Sequence, residues 1–278
     1  MGGSSDYRER YAVSTWHYVA DPLEAALQGI AAAGFKWIEI WGDTAHLDPR
    51  IRPDVRAIEA LLARLELRVH SIHAPFSDLD LGRPGGARNA EARRVVGEAL
   101  ELGAALGANL AVIHVSSHTE DLRDPGRYRE SRQAAQDLIG SLGQVAGRTG
   151  VALALENLPP DPKQRYFGCT LAELAATFPD PSIGFCLDIG HAVVNRVSIA
   201  SEIQAAGSRL QSLHVHNNDG VKDLHWPPTQ GVIDWKAARA ELARIGYEGA
   251  FVLEVDRGQD PDAVVRDLAE FAKGDIAA

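Results

Sequence analysis

The chain has 278 residues, a formal net charge of −10 and 45% hydrophobic against 24% charged residues. This composition is typical of a globular protein with a sizeable core, and one barrel domain commonly reaches about 250 residues. No apolar stretch approaches the roughly 20 residues that cross a membrane, and no secretory leader opens the chain, so we expect a cytoplasmic protein. The acidic charge makes nucleic acid an unfavourable partner, although a local basic groove stays possible.

Residues 1–10 are Gly, Ser and charged residues, and we expect a mobile end there. From residue 11 to residue 278 no linker-like break interrupts the pattern, which predicts a single catalytic domain. Cys169 and Cys186 are too few for a disulfide framework, and Cys186 lies in an apolar run, so we expect it to pack in the core.

Short β-rich runs alternate with longer helical patterns along the whole domain. The predicted strands are residues 11–15, 36–40, 67–73, 109–115, 151–156, 183–188, 210–216 and 250–254. The first barrel helix is predicted to start at Pro22 with Asp21 as its cap, and the later helices are predicted at 53–65, 91–106, 127–147, 171–177, 198–206, 235–245 and 261–273. Eight strand-helix units with right-handed crossovers predict a single (β/α)8 barrel.

Two details favour a barrel over an open nucleotide-binding sheet. In the fifth run, Ala152 and Ala154 share the alternation of Glu156, and small side chains at those positions suit a barrel interior. Gly103 and Gly107 lie in a helical pattern rather than after the first strand, so we interpret them as packing and helix-terminating residues. The sequence therefore does not indicate a nicotinamide cofactor.

Leu213 to His225, with the sequence LHVHNNDGVKDLH, concentrates potential metal ligands. His216 closes an apolar run, and the spacing of two between Asp223 and His225 directs both side chains to one side of an extended loop. His214 shares the alternation of His216 but lies one layer deeper, so we expect it in the core or behind the ligands.

Histidine and carboxylate residues recur at the ends of most of the predicted strands. His73, His114, Glu156, Asp188, His216 and Glu254 lie at the ends of the third to eighth runs, and His191, Asp223 and His225 follow in loops. In a barrel these ends meet at one mouth. So many groups are expensive to bury together unless a cation neutralises them. We therefore predict a multinuclear metal site, with zinc or manganese as the leading ions and more than one ion per chain.

Other residues near the same mouth are candidates for substrate binding. Flat aromatic faces pack on the apolar faces of bound rings, which suggests His17, Glu39, Trp16, Trp41 and Trp226 as residues that line a substrate pocket. Lys222 and Arg257 follow the seventh and eighth runs, where this fold often holds phosphate. Rim packing is an equally good interpretation for the first five residues, and isolated basic side chains such as Lys222 and Arg257 are usually just solvated.

Several segments carry a family resemblance that runs nearly the whole length of the chain. They are SIHAPF, VIHVSSH, LALENLP, CLDIGHA, HVHNNDG, KDLHWPPTQGVIDW and FVLEV, and they resemble the xylose isomerase-like barrel superfamily. That superfamily includes sugar phosphate isomerases and epimerases and the endonuclease IV type of DNA-repair enzyme. The resemblance implies that Glu156, Asp188, His216 and Glu254 hold a single divalent metal, as in the epimerase branch. It also implies that His73, His114, His191, Asp223 and His225 are the additional ligands of the three-zinc cluster in the endonuclease branch.

The expected function follows from this resemblance and from the charge. We predict a metal-dependent isomerase or epimerase of a sugar, sugar phosphate or related polyol, in which Glu156 and Glu254 transfer a proton through an enediolate. The alternative, favoured by the surplus imidazoles, is a multizinc phosphoesterase of the endonuclease IV type that acts on abasic DNA or another phosphoester. A metal-binding barrel without catalysis is the third hypothesis.

Overall fold

Eight parallel strands close into a barrel in the computed structural model, which describes residues 6–43, 46–79, 81–116, 122–161, 165 and 167–277. The strands are β1 (Tyr11–Ser14), β2 (Trp37–Trp41), β3 (Arg68–His73), β4 (Leu110–Ile113), β5 (Ala152–Glu156), β6 (Gly184–Asp188), β7 (Leu210–Val215) and β8 (Ala250–Leu253). Each strand pairs with its neighbours in sequence, and β8 pairs with β1 to close the ring. The predicted (β/α)8 barrel is confirmed.

Helices cover the outside of the barrel, and all but the first and the last lie between consecutive strands. Within the described residues they are α1 (Tyr7–Arg10), α2 (Leu23–Ala32), α3 (Val55–Leu65), α4 (Gly86–Ala105), α5 (Pro125–Thr149), α6 (Leu171–Thr177), α7 (Ile189–Val194), α8 (Ile199–Ala206), α9 (Trp235–Arg244) and α10 (Pro261–Ala277). Short 3-10 turns occupy Thr15–Tyr18, Pro49–Ile51 and Gly207–Arg209. In the part of the chain that the structure describes, no helix has the length and apolar character needed to cross a membrane.

Three details differ from the sequence prediction. Helix α2 begins at Leu23, with Pro22 in the capping position and no side-chain cap, so the predicted cap at Asp21 is wrong. Helix α4 begins at Gly86, five residues before the predicted start, because Gly85 adopts a positive φ of 66° that turns the chain into the helix. His191, predicted in a loop, lies in the one-and-a-half-turn helix α7, which is too short to show a hydrophobic period.

The barrel interior contains a small apolar cluster that is separate from the layer between strands and helices. Leu110, Val112, Ala154 and Cys186 form it, with Ala152 packed against it. The alternate β5 residues belong to the larger core that faces the helices. The inward direction predicted for the alanines and the core packing predicted for Cys186 are therefore confirmed.

Close packing of helices on strands fixes the outer layer. Gly103 in α4 lies so near Ile72 that an added Cβ would be 3.0 Å from the Ile72 side chain. Gly107 follows the end of α4 with a φ of 82°, as the helix-terminating interpretation predicts. In the first ten residues, Tyr7 begins α1, and its ring lies 5.8 Å from that of Phe35.

Candidate metal centre and active-site cavity

A cavity of about 400 Å³ opens at the carboxyl ends of the barrel strands. Its lining residues are Trp16, Trp41, His73, Phe76, His114, Glu156, Pro159, His191, Asp223, His225 and Glu254. Carboxylates, imidazoles and aromatic rings line it together. Barrels of this fold build their sites at this end, since all strand ends converge there.

Glu156 at the end of β5 is the meeting point of the histidines from β3 and β4. Its Oε2 atom lies 3.2 Å from Nε2 of His73 and 3.0 Å from Nε2 of His114. All three side chains are buried, so water screens the interactions between their charges only weakly. Burial lowers the pKa of His114, although the neighbouring carboxylate opposes that shift.

A second group gathers around Asp223 in the loop after β7. Its two oxygens each lie 3.2 Å from an imidazole Nε2, one from His191 and one from His225. Burial opposes the charged form of His191, but the carboxylates of Asp188 and Asp223 outweigh it and raise its pKa to about 10. Burial is likewise outweighed at His225, where the hydrogen bond to Asp223 raises the pKa to about 9.

The third group pairs Asp188 at the end of β6 with His216 just after β7. Nε2 of His216 lies 2.9 and 3.0 Å from the two carboxylate oxygens of Asp188. Asp188 also caps α7, because its Oδ1 accepts the backbone N–H of His191 at 2.6 Å. Gly190 makes this approach possible, since a Cβ there would lie 2.0 Å from Cε1 of His216.

Main-chain carbonyls orient three of the cavity histidines in the same way. The Nδ1–O distances are 3.1 Å for His73 to Ala74, 2.8 Å for His191 to Asn157 and 2.9 Å for His225 to Glu254. A nitrogen that faces a carbonyl donates its proton, so Nε2 is left to face a carboxylate. Such a contact requires a second proton or a cation between the two groups. Metal-binding histidines are oriented by hydrogen bonds of this kind.

His214 lies beneath these groups and contacts carboxylates on both ring nitrogens. Its Nδ1 is 2.9 Å from Glu156 and 2.9 Å from Glu254, and its Nε2 is 3.3 Å from Glu39. Burial opposes its charge, but the surrounding acidic groups raise its pKa well above the usual range. Both ring nitrogens of His214 face carboxylates, so its positive charge stabilises them from below. This position agrees with the sequence prediction that His214 lies one layer deeper than His216.

The donor set fits divalent metal ions. Three groups bring their ligand atoms within 4.8 Å of one another: His73, His114 and Glu156; Asp188, His191, His216 and His225; and Glu156, Asp188, His214 and Glu254. Among the described residues, Nδ1 of His114 and Nδ1 of His216 are buried without a hydrogen-bond partner. Four carboxylates, Glu156, Asp188, Asp223 and Glu254, lie in the same small region, so cations would relieve their mutual repulsion. All nine predicted ligands meet at this mouth, and their role as ligands stays a prediction.

The predicted substrate-binding residues are distributed unevenly. Trp16 and Trp41 line the cavity, and the ring of Trp41 lies 4.4 Å from that of His73. Glu39 is fully buried below the cavity, where Ser71 donates a hydrogen bond to it at 2.8 Å. Glu39 therefore contacts His214 rather than the cavity, because the inward positions of β2 lie one layer deeper than the strand ends.

The remaining four residues lie away from the cavity lining. Both ring nitrogens of His17 contact main-chain carbonyls, and the side chain is fully buried. Arg257 forms an ion pair with Asp21 at 3.2 Å, and Lys222 is exposed. Trp226 forms an antiparallel bridge with Asn217 and helps to shape the loop after β7. Ordinary structural contacts thus account for His17 and Arg257, whereas Lys222 is a solvated charge and the backbone of Trp226 belongs to the loop pairing.

Sequence reasoning missed several residues that shape the site. Phe76 and Pro159 line the cavity without having been proposed. Asn157, beside Glu156, binds the main chain of Asp188 twice, since it donates to the carbonyl at 2.9 Å and accepts from the N–H at 2.8 Å. Its position directly after a strand-end glutamate was the available signal.

The fold and the site together define a (β/α)8 barrel with a histidine- and carboxylate-rich centre at the carboxyl ends of its strands. Comparison with known families gives the more specific assignment. The xylose isomerase-like TIM barrel family matches residues 27–274, so the chain belongs to that family.

Relatives and solved structures agree with this assignment. Fructoselysine 3-epimerase of Escherichia coli O157:H7 is 23% identical over 248 residues, covering 84% of this chain and 86% of that protein. L-ribulose-5-phosphate 3-epimerase of Escherichia coli O1:K1 / APEC is 24% identical over 225 residues, covering 80% and 76% respectively. The crystal structure of a D-tagatose 3-epimerase-like protein superposes with a TM-score of 0.82 at 21% identity, covering 96% of this chain and 98% of that one. At this identity the structural likeness supports the fold.

Proposed function

We propose that the protein is a divalent-metal-dependent epimerase or isomerase that acts on a sugar, sugar phosphate or related polyol. The proposal rests on one observation: the carboxylates of Glu156 and Glu254 lie together at the cavity, each 2.9 Å from Nδ1 of His214. The named activities of the two Escherichia coli relatives, both sugar 3-epimerases, support it.

These two carboxyl groups are suited to moving a proton. Burial favours their neutral forms, but the charge of His214 outweighs it, holding the pKa of Glu254 at about 2 and that of Glu156 well below its usual range. A carboxylate is therefore ready at neutral pH to accept the proton on the carbon beside the substrate carbonyl, which leaves an enediolate. To invert that carbon, the second carboxyl group would first take up a proton from water and then deliver it to the opposite face, while the first releases the abstracted proton to solvent. Return of the abstracted proton by the first carboxyl group to the former carbonyl carbon would instead move the carbonyl.

The chain's own residues also supply the setting for this step. Asp188, His216 and the two glutamates would hold an ion that polarises the carbonyl and stabilises the negative charge of the enediolate. Trp41 and Phe76 line the cavity and would form an apolar wall that keeps bulk water from the reacting face. Excluding bulk water would protect the carbanionic carbon from uncontrolled protonation, so that solvent hydrogen reaches it only through the two carboxyl groups.

A solvent-label experiment tests the proposal. The metal-loaded protein is incubated with a panel of ketoses, their phosphates and polyol-derived ketones in deuterium oxide, and deuterium at carbon is followed by NMR. The proposal predicts deuterium on the carbon beside the carbonyl, together with a new epimer or isomer. Wild-type protein that exchanges no carbon-bound hydrogen on any substrate would contradict it.

The second candidate is a multizinc phosphoesterase. It is favoured because three groups of candidate ligands converge at the cavity, whereas a single-metal enzyme needs only one such group. In such an enzyme a metal-activated water attacks phosphorus, and several ions share the resulting charge. Incision of an abasic duplex in ¹⁸O water, with the label in the released phosphoester and no carbon exchange on any sugar, would select this function instead. His114→Ala separates the two hypotheses, because loss of a ligand from the His73 group should abolish incision but leave measurable epimerisation.

A further inference from the structure

Asp43, two residues beyond β2, joins the loops that follow β2 and β3. One of its oxygens, Oδ2, accepts three hydrogen bonds: from the backbone N–H groups of Phe76 and Ser77 at 3.1 Å each, and from Oγ of Ser77 at 3.0 Å. Arg50 donates to the other oxygen at 3.3 Å. The carboxylate is 1% exposed, so these contacts satisfy a buried charge.

The chain adjacent to Asp43 is built for a close approach between the two loops. A Cβ at Gly42 would lie 2.1 Å from the carbonyl oxygen of His73 and 2.9 Å from Cδ of Pro75. Any other residue at that position would push the β2 loop away from the β3 loop. Gly42 thus brings Asp43 within reach of the N–H groups that it binds.

The hydrogen bonds of Asp43 hold the backbone of the segment that carries the Phe76 ring. That ring lies 4.2 Å from the ring of His114 at an interplanar angle of 31°, and 5.4 Å from the ring of His73. It also contacts Trp41 edge to face at 5.5 Å, and both aromatic residues line the cavity. Phe76 therefore forms the wall that faces the candidate ligands.

We propose that Asp43 is a positioning residue that holds Phe76 against the cavity and so sets how well the substrate is bound. Asp43 does not line the cavity, and its effect on the substrate passes through the Phe76–Ser77 backbone. For the sugar-transforming reaction this inference rests on the proposed function, whereas the positioning of Phe76 itself does not. A loose wall weakens substrate binding but leaves the proton-transfer carboxylates in place, so KM should change more than kcat.

Amide hydrogen exchange on the metal-loaded protein tests the structural half of the proposal. Asp43→Ala should speed exchange at Phe76 and Ser77, and Asp43→Asn should have a smaller effect because its amide oxygen can still accept their N–H groups. Asp54→Ala is the matched control, since Asp54 accepts the N–H of Ala57 at 3.1 Å at the start of α3. Exchange at Phe76 and Ser77 that is unchanged in both Asp43 variants would overturn the proposal. If the alanine variant does not fold, the asparagine variant decides.

Steady-state kinetics test the functional half. Asp43→Ala should raise KM roughly 10-fold while kcat changes less than about 3-fold, with Asp43→Asn intermediate and Asp54→Ala near wild type. Phe76→Leu should raise KM in the same way, and the double variant Asp43→Ala/Phe76→Leu should be no worse than the more damaged single variant. Multiplying KM effects in the double variant, or equal losses in kcat, would show that Asp43 does not act through Phe76. A wild-type protein without turnover would refute the proposed function, and the exchange result would then still decide the position of Phe76.

Discussion

Nδ1 of His214 lies 2.9 Å from Oε1 of Glu156, one layer below the cavity. The contact connects β7 to the carboxylate of Glu156, which the imidazoles of His73 and His114 also contact. Because His214 is buried, its charge acts on the carboxylate with little screening from water. Although burial favours the neutral form, the charge of His214 therefore lowers the pKa of Glu156 from beneath the cavity, while the other oxygen of Glu156 faces the candidate ligands.

Removing either carboxylate charge should abolish activity. Glu156→Gln and Glu254→Gln each eliminate a proton acceptor and a candidate ligand charge, so turnover of the sugar substrate should fall at least roughly 100-fold. Glu248→Gln, the same chemical change at an exposed position close to β8, is the control and should keep wild-type kinetics. Near-normal turnover in either cavity variant would contradict the proposed mechanism.

The surplus of ligands predicts more than one metal ion per chain. Protein purified without chelators and saturated with zinc or manganese should contain more than one tightly bound ion by elemental analysis, and His114→Ala should contain less. Removing the ions with a chelator should lower the Tm, because ions that bind only the folded chain stabilise it. A single ion per chain in the saturated protein, unaffected by His114→Ala, would exclude the multinuclear site.

The sequence predicted the barrel and the set of strand-end residues well, because hydrophobic periodicity and strand-end placement are local properties. It could not show which side chains touch. The deep position of Glu39 follows from the register of β2 in the closed barrel. The hydrogen bond between Asp43 and the backbone of Phe76 joins residues that are 33 positions apart. Both are tertiary relationships without a local pattern. Helix α7, which carries His191, is too short to be recognised from its period, and Asp188, which caps it, also contacts His216 in the candidate metal centre.

Two glycines of α4 should respond to alanine in opposite ways. A Cβ at Gly97 would meet only Val145 at 3.8 Å, so Gly97→Ala should stabilise the fold by about 0.5–1 kcal/mol through its better helix propensity. A Cβ at Gly103 would press on the fully buried Ile72 at 3.0 Å, so Gly103→Ala should destabilise it by about 1–3 kcal/mol. Urea unfolding of both variants measures the two changes. Equal changes in the same direction would show that contact with β3 does not decide the outcome.

Glu202 in α8 should make the stability depend on pH. Its carboxyl group is buried and accepts the N–H of Leu171 at 2.5 Å, and burial raises its pKa above the usual value. Since the folded-state pKa lies above that of the unfolded chain, the fold favours the protonated acid, and this favourable contribution is lost as the pH rises through the folded-state pKa.

Glu202→Gln keeps the acceptor for Leu171 but cannot ionise, so it removes that loss. Its Tm should exceed that of the wild type at pH 7 to 8, and the difference should shrink toward zero as the pH falls below the unfolded-state pKa. Thermal unfolding of the two proteins across this range measures the difference, with Glu248→Gln as the exposed control. A difference that stays constant with pH, or that grows in acid, would mean that ionisation of Glu202 does not oppose folding.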